Sequence, residues 1–204
     1  MTTDNFTKHT TTASLKQMKF LQRFLIDRFL VRLIRILKPL SVSSILDVGA
    51  GEGFTLARLE REGIGERREG VEILDSALAL GKKFHPHIKL VKGSIYELPY
   101  KDNSWDLVLC TEVLEHLEDP EKALAELFRV SKKYILLSVP NEPWFMLGNF
   151  LRGKNLSRWG NDIEHINHWT GQSFISFVKR NHKKVRIKAD FPLPWTVLLL
   201  EKHS

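Results

Sequence analysis

A glycine-rich turn after a short apolar strand is the part of this sequence whose residue types and spacing most favour ligand chemistry. Residues 45–53 read I-L-D-V-G-A-G-E-G, with Asp47 two residues before the first of three alternate glycines. Glycine adopts positive φ at little cost and lets a ligand approach the bare backbone. The sequence predicts a helix from Phe54, whose N-terminal amides face the turn and suit a nucleoside ligand. A plain strand-to-helix turn is the alternative.

The glycine spacing separates two kinds of nucleoside ligand. The dinucleotide fingerprint G-x-G-x-x-G would need glycine at position 54, which is Phe54 here. That fingerprint also does not call for an acid two residues before its first glycine, where this chain has Asp47. An anionic side chain repels a pyrophosphate but attracts an amino group and a sulfonium. The turn therefore favours S-adenosylmethionine over NAD as the cofactor.

Four further segments follow the turn in order: Val71–Glu72, Leu90–Tyr100, Ser104–Leu117 and Tyr134–Asn141. Together with the turn, this series resembles the class I S-adenosylmethionine-dependent methyltransferases, in their ubiquinone-biosynthesis-like small-molecule (type 11) branch. The resemblance covers residues 42 to 204. It implies a cofactor site made of these residues: Asp47, Gly49, Ala50, Gly51, Gly53, Glu72, Ile73, Ser94, Ile95, Cys110, Thr111 and Glu112.

The resemblance also implies a role for each part of that site. Glu72 stands where the family binds the ribose hydroxyls, and Ser94 replaces the usual acid beside the adenine amino group. A hydroxyl still accepts a hydrogen bond there, but without charge assistance the bond is weaker. Ile73 and Ile95 look like the residues that sandwich adenine, and plain core positions are the alternative. The residues at positions 110–112 line the methionine part of the cofactor by analogy.

Histidines in the last third of the chain are the candidates for acid–base chemistry. The segment Asp162–Thr170 resembles a stretch near the acceptor pocket of the same branch, so His165, His168 and Glu142 are the predicted proton acceptors. Residues Trp144–Thr170, rich in aromatic and basic side chains, are predicted to form an acceptor-binding insertion.

Two other groups in the sequence have a competing interpretation. Glu115 and His116 are an acid–base pair or, more in keeping with their position, residues that order a loop and cap the next helix. No metal site is predicted. Glu164 and His168 are four residues apart and could share a helix face, but only one histidine joins them and no third ligand is evident.

The elements that position these residues form an α/β fold. Strands alternate with helices up to the fifth strand, and a closing antiparallel hairpin is predicted from Val185–Ala189 and Trp195–Glu201, after a helix over Ser173–Arg180. The resemblance implies a three-layer Rossmann-like sheet of order 3-2-1-4-5-7-6, with the last strand antiparallel and helices on both faces.

Composition is that of one domain of ordinary size preceded by an extension. The chain has 204 residues, 43% hydrophobic and 27% charged, enough for a single core. Residues 1–40 are predicted to hold a disordered Thr-rich tail and a basic amphipathic helix over Ser14–Lys38, which packs on the domain, covers the acceptor pocket as a lid or lies on a membrane surface. The resemblance implies that residues 41–204 form a single methyltransferase domain.

Charge is unevenly spread along the chain. Residues 1–40 carry 8 Lys/Arg and 2 Asp/Glu, residues 41–131 carry 11 and 17, and residues 132–204 carry 12 and 5. An acidic cofactor segment between basic flanks suits an anionic or aromatic acceptor, an acidic lipid surface or RNA. One cysteine and the lack of a leader or a long apolar run favour a cytoplasmic location.

These observations predict methyl transfer from S-adenosylmethionine to a small-molecule acceptor by in-line displacement. The alternatives are an RNA methyltransferase that uses the basic flanks and a non-catalytic S-adenosylmethionine-binding protein. An NAD-linked oxidoreductase ranks last on the glycine spacing. The acceptor atom and the oligomeric state are not readable from the sequence.

Overall fold

A computed structural model of the chain describes residues 20–151, 159, 162 and 164–202. Two predicted features lie outside the described residues: the Thr-rich tail, and the part of the predicted N-terminal helix before Phe20. The same is true of the Lys and Arg residues of the predicted insertion, Arg152, Lys154 and Arg158. The chain divides into two compact units, Met1–Pro99 and Tyr100–Ser204.

The first unit contains the glycine-rich turn. Its helices and strands are α1 (Phe20–Leu37), β1 (Ser44–Val48), α2 (Phe54–Arg61), β2 (Arg67–Glu72), α3 (Asp75–Phe84) and β3 (Lys89–Lys92). Strand β1 is apolar apart from Ser44 and Asp47, and its last four residues are buried. Such a run is typical of a strand covered on both faces, and it delivers Asp47 and the turn to its carboxyl end.

The second unit contains the predicted acceptor residues. Its elements are β4 (Trp105–Thr111), a 3₁₀ turn (Leu114–His116), α4 (Pro120–Val130), β5 (Ser131–Pro140), α5 (Trp144–Leu151), α6 (Gly171–Asn181), β6 (Val185–Asp190) and β7 (Trp195–Lys202). Helix α6 begins two residues before the predicted start because Thr170 and Ser173 form a capping box. The hairpin of β6 and β7 matches the prediction closely.

The sheet has seven strands in the order β3-β2-β1-β4-β5-β7-β6. Strand β2 pairs in parallel with β1 and with β3, and β4 pairs in parallel with β5. Strand β7 is antiparallel to both β5 and β6. The predicted order and the predicted antiparallel closing strand are therefore confirmed. The carboxyl ends of parallel strands are where α/β sheets bind ligands.

Helix α1 buries one side, as its amphipathic pattern predicts. Phe29, Leu33, Ile34 and Leu37 are buried, whereas Arg28 is exposed. Leu37 is fully buried at the end of the helix, whereas Ile36 is only partly buried.

Among the helices that the structure describes, none combines the length and the apolar character needed to cross a bilayer.

Candidate functional site

The glycine-rich turn adopts the backbone conformation for which its glycines are suited. Gly49, Gly51 and Gly53 have φ values of 77°, 54° and 81°, in the left-handed region that side chains disfavour. The amides of Gly49 and Ala50 both donate to the carbonyl of Val71, at 2.8 and 3.0 Å. These bonds attach the turn to the end of β2, next to Glu72.

Asp47 is a buried acid just before the glycine-rich turn. It is 2% exposed, and its Oδ1 has no hydrogen-bond partner within the described part of the chain. Burial, and secondarily the charge of Glu72, raises the pKa of Asp47 to about 7. A buried carboxylate oxygen without a donor fits a cationic ligand group, such as the amino group of S-adenosylmethionine, because that group would supply both a donor and a compensating charge.

Glu72 organises the turn from the end of β2. Its Oε2 accepts from the amide of Gly51 at 2.8 Å, and its Oε1 accepts from the amides of Ile73 at 2.8 Å and Leu74 at 2.9 Å. Sequence reasoning assigned Glu72 to the ribose and missed this second role. No sequence signal identifies it, because the bond to Gly51 joins residues 21 apart whose approach depends on the pairing of β1 with β2.

The predicted adenine residues differ in their surroundings. Ile73 is 56% exposed, so it is not a core residue, and Ile95 is partly buried. The Ser94 hydroxyl accepts from the amide of Tyr96 at 3.2 Å, and this bond leaves the hydroxyl proton available for another acceptor. Ile73 is exposed next to Glu72, whose carboxylate binds the amides of the turn. Such an apolar side chain suits contact with the flat face of a ring such as adenine.

In the second unit, the exit of β4 carries a carboxylate in an uncommon backbone conformation. Glu112 has a φ of 57°, and its Oε1 accepts from the hydroxyl of Ser138 at 2.7 Å. Burial raises the pKa of Glu112 to about 7, although hydrogen bonds from Ser138 and Trp195 act in the opposite direction. Cys110 is fully buried and Thr111 is partly buried.

The 3₁₀ turn after β4 is tied to the segment around residue 166. The carbonyl of Glu115 accepts from the amides of Ile166 and Asn167, at 2.8 and 2.9 Å. The side-chain amide of Asn167 donates to the carbonyls of Leu114 and Leu117, at 3.2 and 2.7 Å. Asn167 was not among the predicted site residues, yet it fixes two segments that are about 50 residues apart.

Glu115 and His116 project from this turn. His116 Nδ1 lies 2.8 Å from the carbonyl oxygen of Glu164, and its Nε2 lies 3.8 Å from Glu115 Oε1. Burial lowers the pKa of His116, while burial and the charge of Glu112 raise the pKa of Glu115 well above its usual value. Glu164 was considered in the sequence analysis as a metal ligand. In the structure, its backbone carbonyl oxygen is the group that contacts His116 Nδ1.

The structure brings the three predicted proton acceptors together. Glu142 Oε1 lies 3.7 Å from His165 Nδ1 and 3.9 Å from His168 Nδ1, and Glu142 Oε2 accepts from the amide of Met146 at 3.2 Å. His165 also lies beside Phe145, with ring centroids 5.1 Å apart. A carboxylate next to an imidazole stabilises the protonated imidazole, which is the state that a general base reaches.

His165 joins two groups of side chains that have metal-ligand character. Each group has its three ligand atoms within 4.8 Å of one another: Glu115, His116 and His165 in one, and Glu142, His165 and His168 in the other. Sequence reasoning sought ligands four residues apart and did not consider Glu115 or Glu142, which the fold brings in from distant positions.

The known proteins that this chain resembles include methyltransferases. A family model described as a methyltransferase domain matches residues 46–136. Demethylmenaquinone methyltransferase of Renibacterium salmoninarum is 36% identical over 91 residues, covering 43% of this chain and 36% of that protein. Norajmaline N-methyltransferase of Rauvolfia serpentina is 30% identical over 94 residues, covering 43% of this chain and 32% of that protein. The chain thus spans about a third of the length of both relatives.

A solved structure extends the likeness in fold beyond those residues. The YcgJ protein of Bacillus subtilis matches with a TM-score of 0.66 and 16% identity, over 86% of this chain and 98% of that chain. The sheet order defines an α/β protein of the Rossmann-like kind. Over residues 46–136, these comparisons support a class I S-adenosylmethionine-dependent methyltransferase of the type 11 branch, a family whose cofactor is S-adenosylmethionine.

Proposed function

We propose that this protein transfers a methyl group from S-adenosylmethionine to a small-molecule acceptor. The observation that carries the proposal is the arrangement at the end of β1 and β2, where Asp47 keeps a buried oxygen without a donor and Glu72 clamps the turn. The relatives named above include a demethylmenaquinone methyltransferase and a norajmaline N-methyltransferase, which favours a small organic acceptor.

In this proposal the first unit binds the cofactor. Asp47 holds the amino end of the cofactor, Glu72 meets the ribose hydroxyls, and Ile73, Ile95 and Ser94 surround the adenine. When bound, S-adenosylmethionine supplies an electrophilic methyl group on a sulfonium, so the protein mainly needs to align an acceptor nucleophile and exclude water.

The second unit supplies the proton acceptor. His165 takes the acceptor's proton, and Glu142, 3.7 Å from its Nδ1, stabilises the imidazolium that forms. His168, at 3.9 Å from the same carboxylate oxygen, is the second candidate. A hydroxyl acceptor needs this base, whereas a thiol or an amine of low pKa reacts without it.

The acceptor is aromatic or otherwise apolar on the side that meets α5. Trp144, Leu147 and Phe150 are exposed on this helix, and Trp159, which is 76% exposed, stacks on Phe150 with ring centroids 5.8 Å apart. Exposed aromatic side chains grouped in this way are typical of a binding surface for a planar molecule. The basic flanks of the chain add a preference for an anionic acceptor.

We also propose a cellular location and a role for helix α1. Cys110 is buried and is the single cysteine of the chain, which suits a cytoplasmic location. Helix α1 packs on the domain, covers the acceptor pocket as a lid, or contacts a membrane through exposed basic residues such as Arg28 and Arg35. Sedimentation with anionic vesicles at low salt supports the membrane contact, and its absence removes it.

The test begins with isothermal titration of S-adenosylmethionine, S-adenosylhomocysteine and NADH into the purified protein. We expect micromolar binding of both adenosyl ligands and none of NADH, with binding lost in Asp47→Ala and Gly51→Val and retained in the control Glu66→Gln. A methyl donor labelled on the transferred carbon then identifies the acceptor among cell-extract fractions. Labelled RNA supports the RNA alternative instead, and tight binding with no labelled product supports a non-catalytic protein.

A further inference from the structure

The imidazole of His116 is held in one orientation and faces a carboxylate. A carbonyl oxygen accepts but cannot donate, so the 2.8 Å contact with Glu164 places a proton on Nδ1. In the neutral ring this leaves the lone pair on Nε2, 3.8 Å from Glu115 Oε1. If Nε2 also carried a proton, 3.8 Å would be too long for a hydrogen bond to that oxygen. Glu115 Oε1 and His116 Nε2 are therefore two atoms with lone pairs, 3.8 Å apart.

Glu115 is a buried acid with no Lys or Arg partner among the residues that the structure describes. It is 1% exposed, and its Oε2 has no hydrogen-bond partner among the residues that the structure describes. Within those same residues no Lys or Arg forms an ion pair with Glu115, and the nearby carboxylate of Glu112 adds repulsion. A buried carboxylate that is neither paired nor solvated is costly.

His165 completes a group of three. Its ring centroid lies 5.1 Å from that of His116, and one ligand atom from each of Glu115, His116 and His165 lies within 4.8 Å of the other two. Two ligands of one ion are about 3 to 4 Å apart for bonds of about 2.1 Å, so small side-chain rotations are enough for coordination.

From this geometry we propose that Glu115, His116 and His165 form a binding site for a divalent transition-metal ion. Two imidazole nitrogens and one carboxylate oxygen suit Zn²⁺, Mn²⁺, Co²⁺ or Fe²⁺ better than Mg²⁺ or Ca²⁺, which prefer oxygen ligands alone. The hydrogen bond from His116 to the carbonyl of Glu164 is the kind of outer contact that orients metal-binding histidines. Three protein ligands leave coordination positions open.

The open positions give the site a use that rests on the proposed function. An oxygen atom of the acceptor that coordinates the ion becomes more acidic. With His165 bound to the ion, His168, which lies 3.9 Å from Glu142 Oε1, takes the acceptor's proton. This favours a hydroxyl-bearing acceptor over an amine. The metal site itself does not depend on methyl transfer, because it is defined by residues of the second unit alone.

The second group, Glu142, His165 and His168, is the competing location for an ion. His168 is more exposed than His116, and no backbone carbonyl is found to fix its ring among the described contacts. Because both groups share His165, a variant of that residue does not separate them. The test therefore uses the residues that the groups do not share.

The experiment measures Co²⁺, Zn²⁺ and Mn²⁺ binding by the full chain after treatment with a chelator, without cofactor or acceptor. We expect one equivalent of ion, visible Co²⁺ absorption bands, and at least tenfold weaker binding in Glu115→Gln and His116→Asn. Glu118→Gln and His87→Asn are the matched controls and should bind as the original chain does. Weakening in Glu142→Gln and His168→Asn instead, with Glu115→Gln and His116→Asn unchanged, overturns the proposal.

A second measurement protects the test against variants that do not fold. Pulsed electron paramagnetic resonance of Mn²⁺ bound to the unaltered chain should show coupling to imidazole nitrogen. An absence of stoichiometric binding, or a bound ion without nitrogen coupling, rejects the site. Titration of S-adenosylmethionine into the same sample reports separately on the first unit, so failure of the metal site and failure of the proposed function are distinguishable.

Discussion

At the scale of single residues, Asp47 and Glu72 are two carboxylates of the first unit with different tasks. Glu72 accepts three backbone hydrogen bonds, whereas Asp47 keeps an oxygen with no donor among the described residues. A carboxylate rich in amide donors is a structural anion, and one without them is prepared for a cationic ligand. The residue types were readable from the sequence, but this division of work was not, because it depends on which amides the fold brings to each acid.

The first prediction concerns the pH dependence of cofactor binding. The pKa of Asp47 is raised to about 7, and a cationic ligand binds the ionised form, so binding below pH 7 must release a proton. We expect the affinity for S-adenosylmethionine to fall about tenfold for each pH unit below 7. Titrations between pH 5.5 and 7.5 measure this slope. In Asp47→Asn binding should be weak and nearly independent of pH, and an equal slope in both proteins would contradict the assignment.

The same residue predicts a stability effect in the cofactor-free protein. The folded protein retains the Asp47 proton up to about pH 7, whereas the unfolded chain loses it near the ordinary value of 3.8. Stability from this group is therefore present below pH 4 and is lost as the pH rises to 7. We expect Asp47→Asn to gain stability relative to the original chain over that window, by at most roughly 4 kcal/mol. Denaturant unfolding at pH 4.5, 6 and 8 tests the trend, and a constant difference would refute it.

The third prediction concerns the clamp at Glu72. Glu72→Gln removes the charge and places an amide group where the Gly51 amide now donates to Oε2 at 2.8 Å. Since a hydrogen bond to a charged group contributes about 1.5 to 3 kcal/mol, we expect cofactor affinity to fall roughly ten- to a hundredfold. Hydrogen exchange of the Gly51 amide should also become faster. Glu66→Gln, an exposed acid just before β2, is the control, and unchanged exchange at Gly51 would reject the clamp.

At the scale of elements, the strands were more predictable than the contacts between segments. Strand β4 is recognisable from its apolar run, and the hairpin of β6 and β7 from its alternation and flanking prolines. The link from Asn167 to Leu114 and Leu117 was not predictable, since it joins residues about 50 apart through one amide side chain. Sequence periodicity reports which face of an element is buried, but it does not report which loops share hydrogen bonds.

The fourth prediction compares two glycines that lie within helices. A Cβ at Gly81 in α3 would lie 2.3 Å from Leu90 Cδ1 and 3.1 Å from the carbonyl oxygen of Glu52 in the glycine-rich turn. We expect Gly81→Ala to lose about 1 to 3 kcal/mol of unfolding free energy and to weaken cofactor binding, because the turn must shift.

Gly148 in α5 is the matched control for that change. Among the described residues, no atom lies within 4 Å of a Cβ at this position, so Gly148→Ala should gain up to about 1 kcal/mol from helix propensity. Chemical denaturation of both variants measures the two signs. Equal effects would show that the packing of α3 against the turn does not govern stability.

At the scale of the whole molecule, the acidic and the basic segments of the chain hold different groups of candidate site residues. The acidic middle segment holds Asp47 and Glu72, and the basic C-terminal segment holds His165 and His168. The charge distribution was readable from composition. The meeting of Glu142 with both histidines was not, because residues 142 and 165 are brought together by the chain after β5 and not by a shared helix or strand.

The last prediction treats binding as a property of the whole chain. A ligand that binds the folded state alone stabilises it by RT ln(1 + [L]/Kd), about 2.7 kcal/mol at a hundred times Kd. For a chain of 204 residues this corresponds to a rise in melting temperature of about 5 to 10 °C. We expect S-adenosylmethionine and S-adenosylhomocysteine to produce this rise in differential scanning fluorimetry and NADH to produce none. The rise should disappear in Gly51→Val, whose side chain would occupy the turn. A shift with NADH alone would contradict the assignment of the turn, whereas equal shifts in both proteins would place the adenosyl ligand elsewhere on the chain.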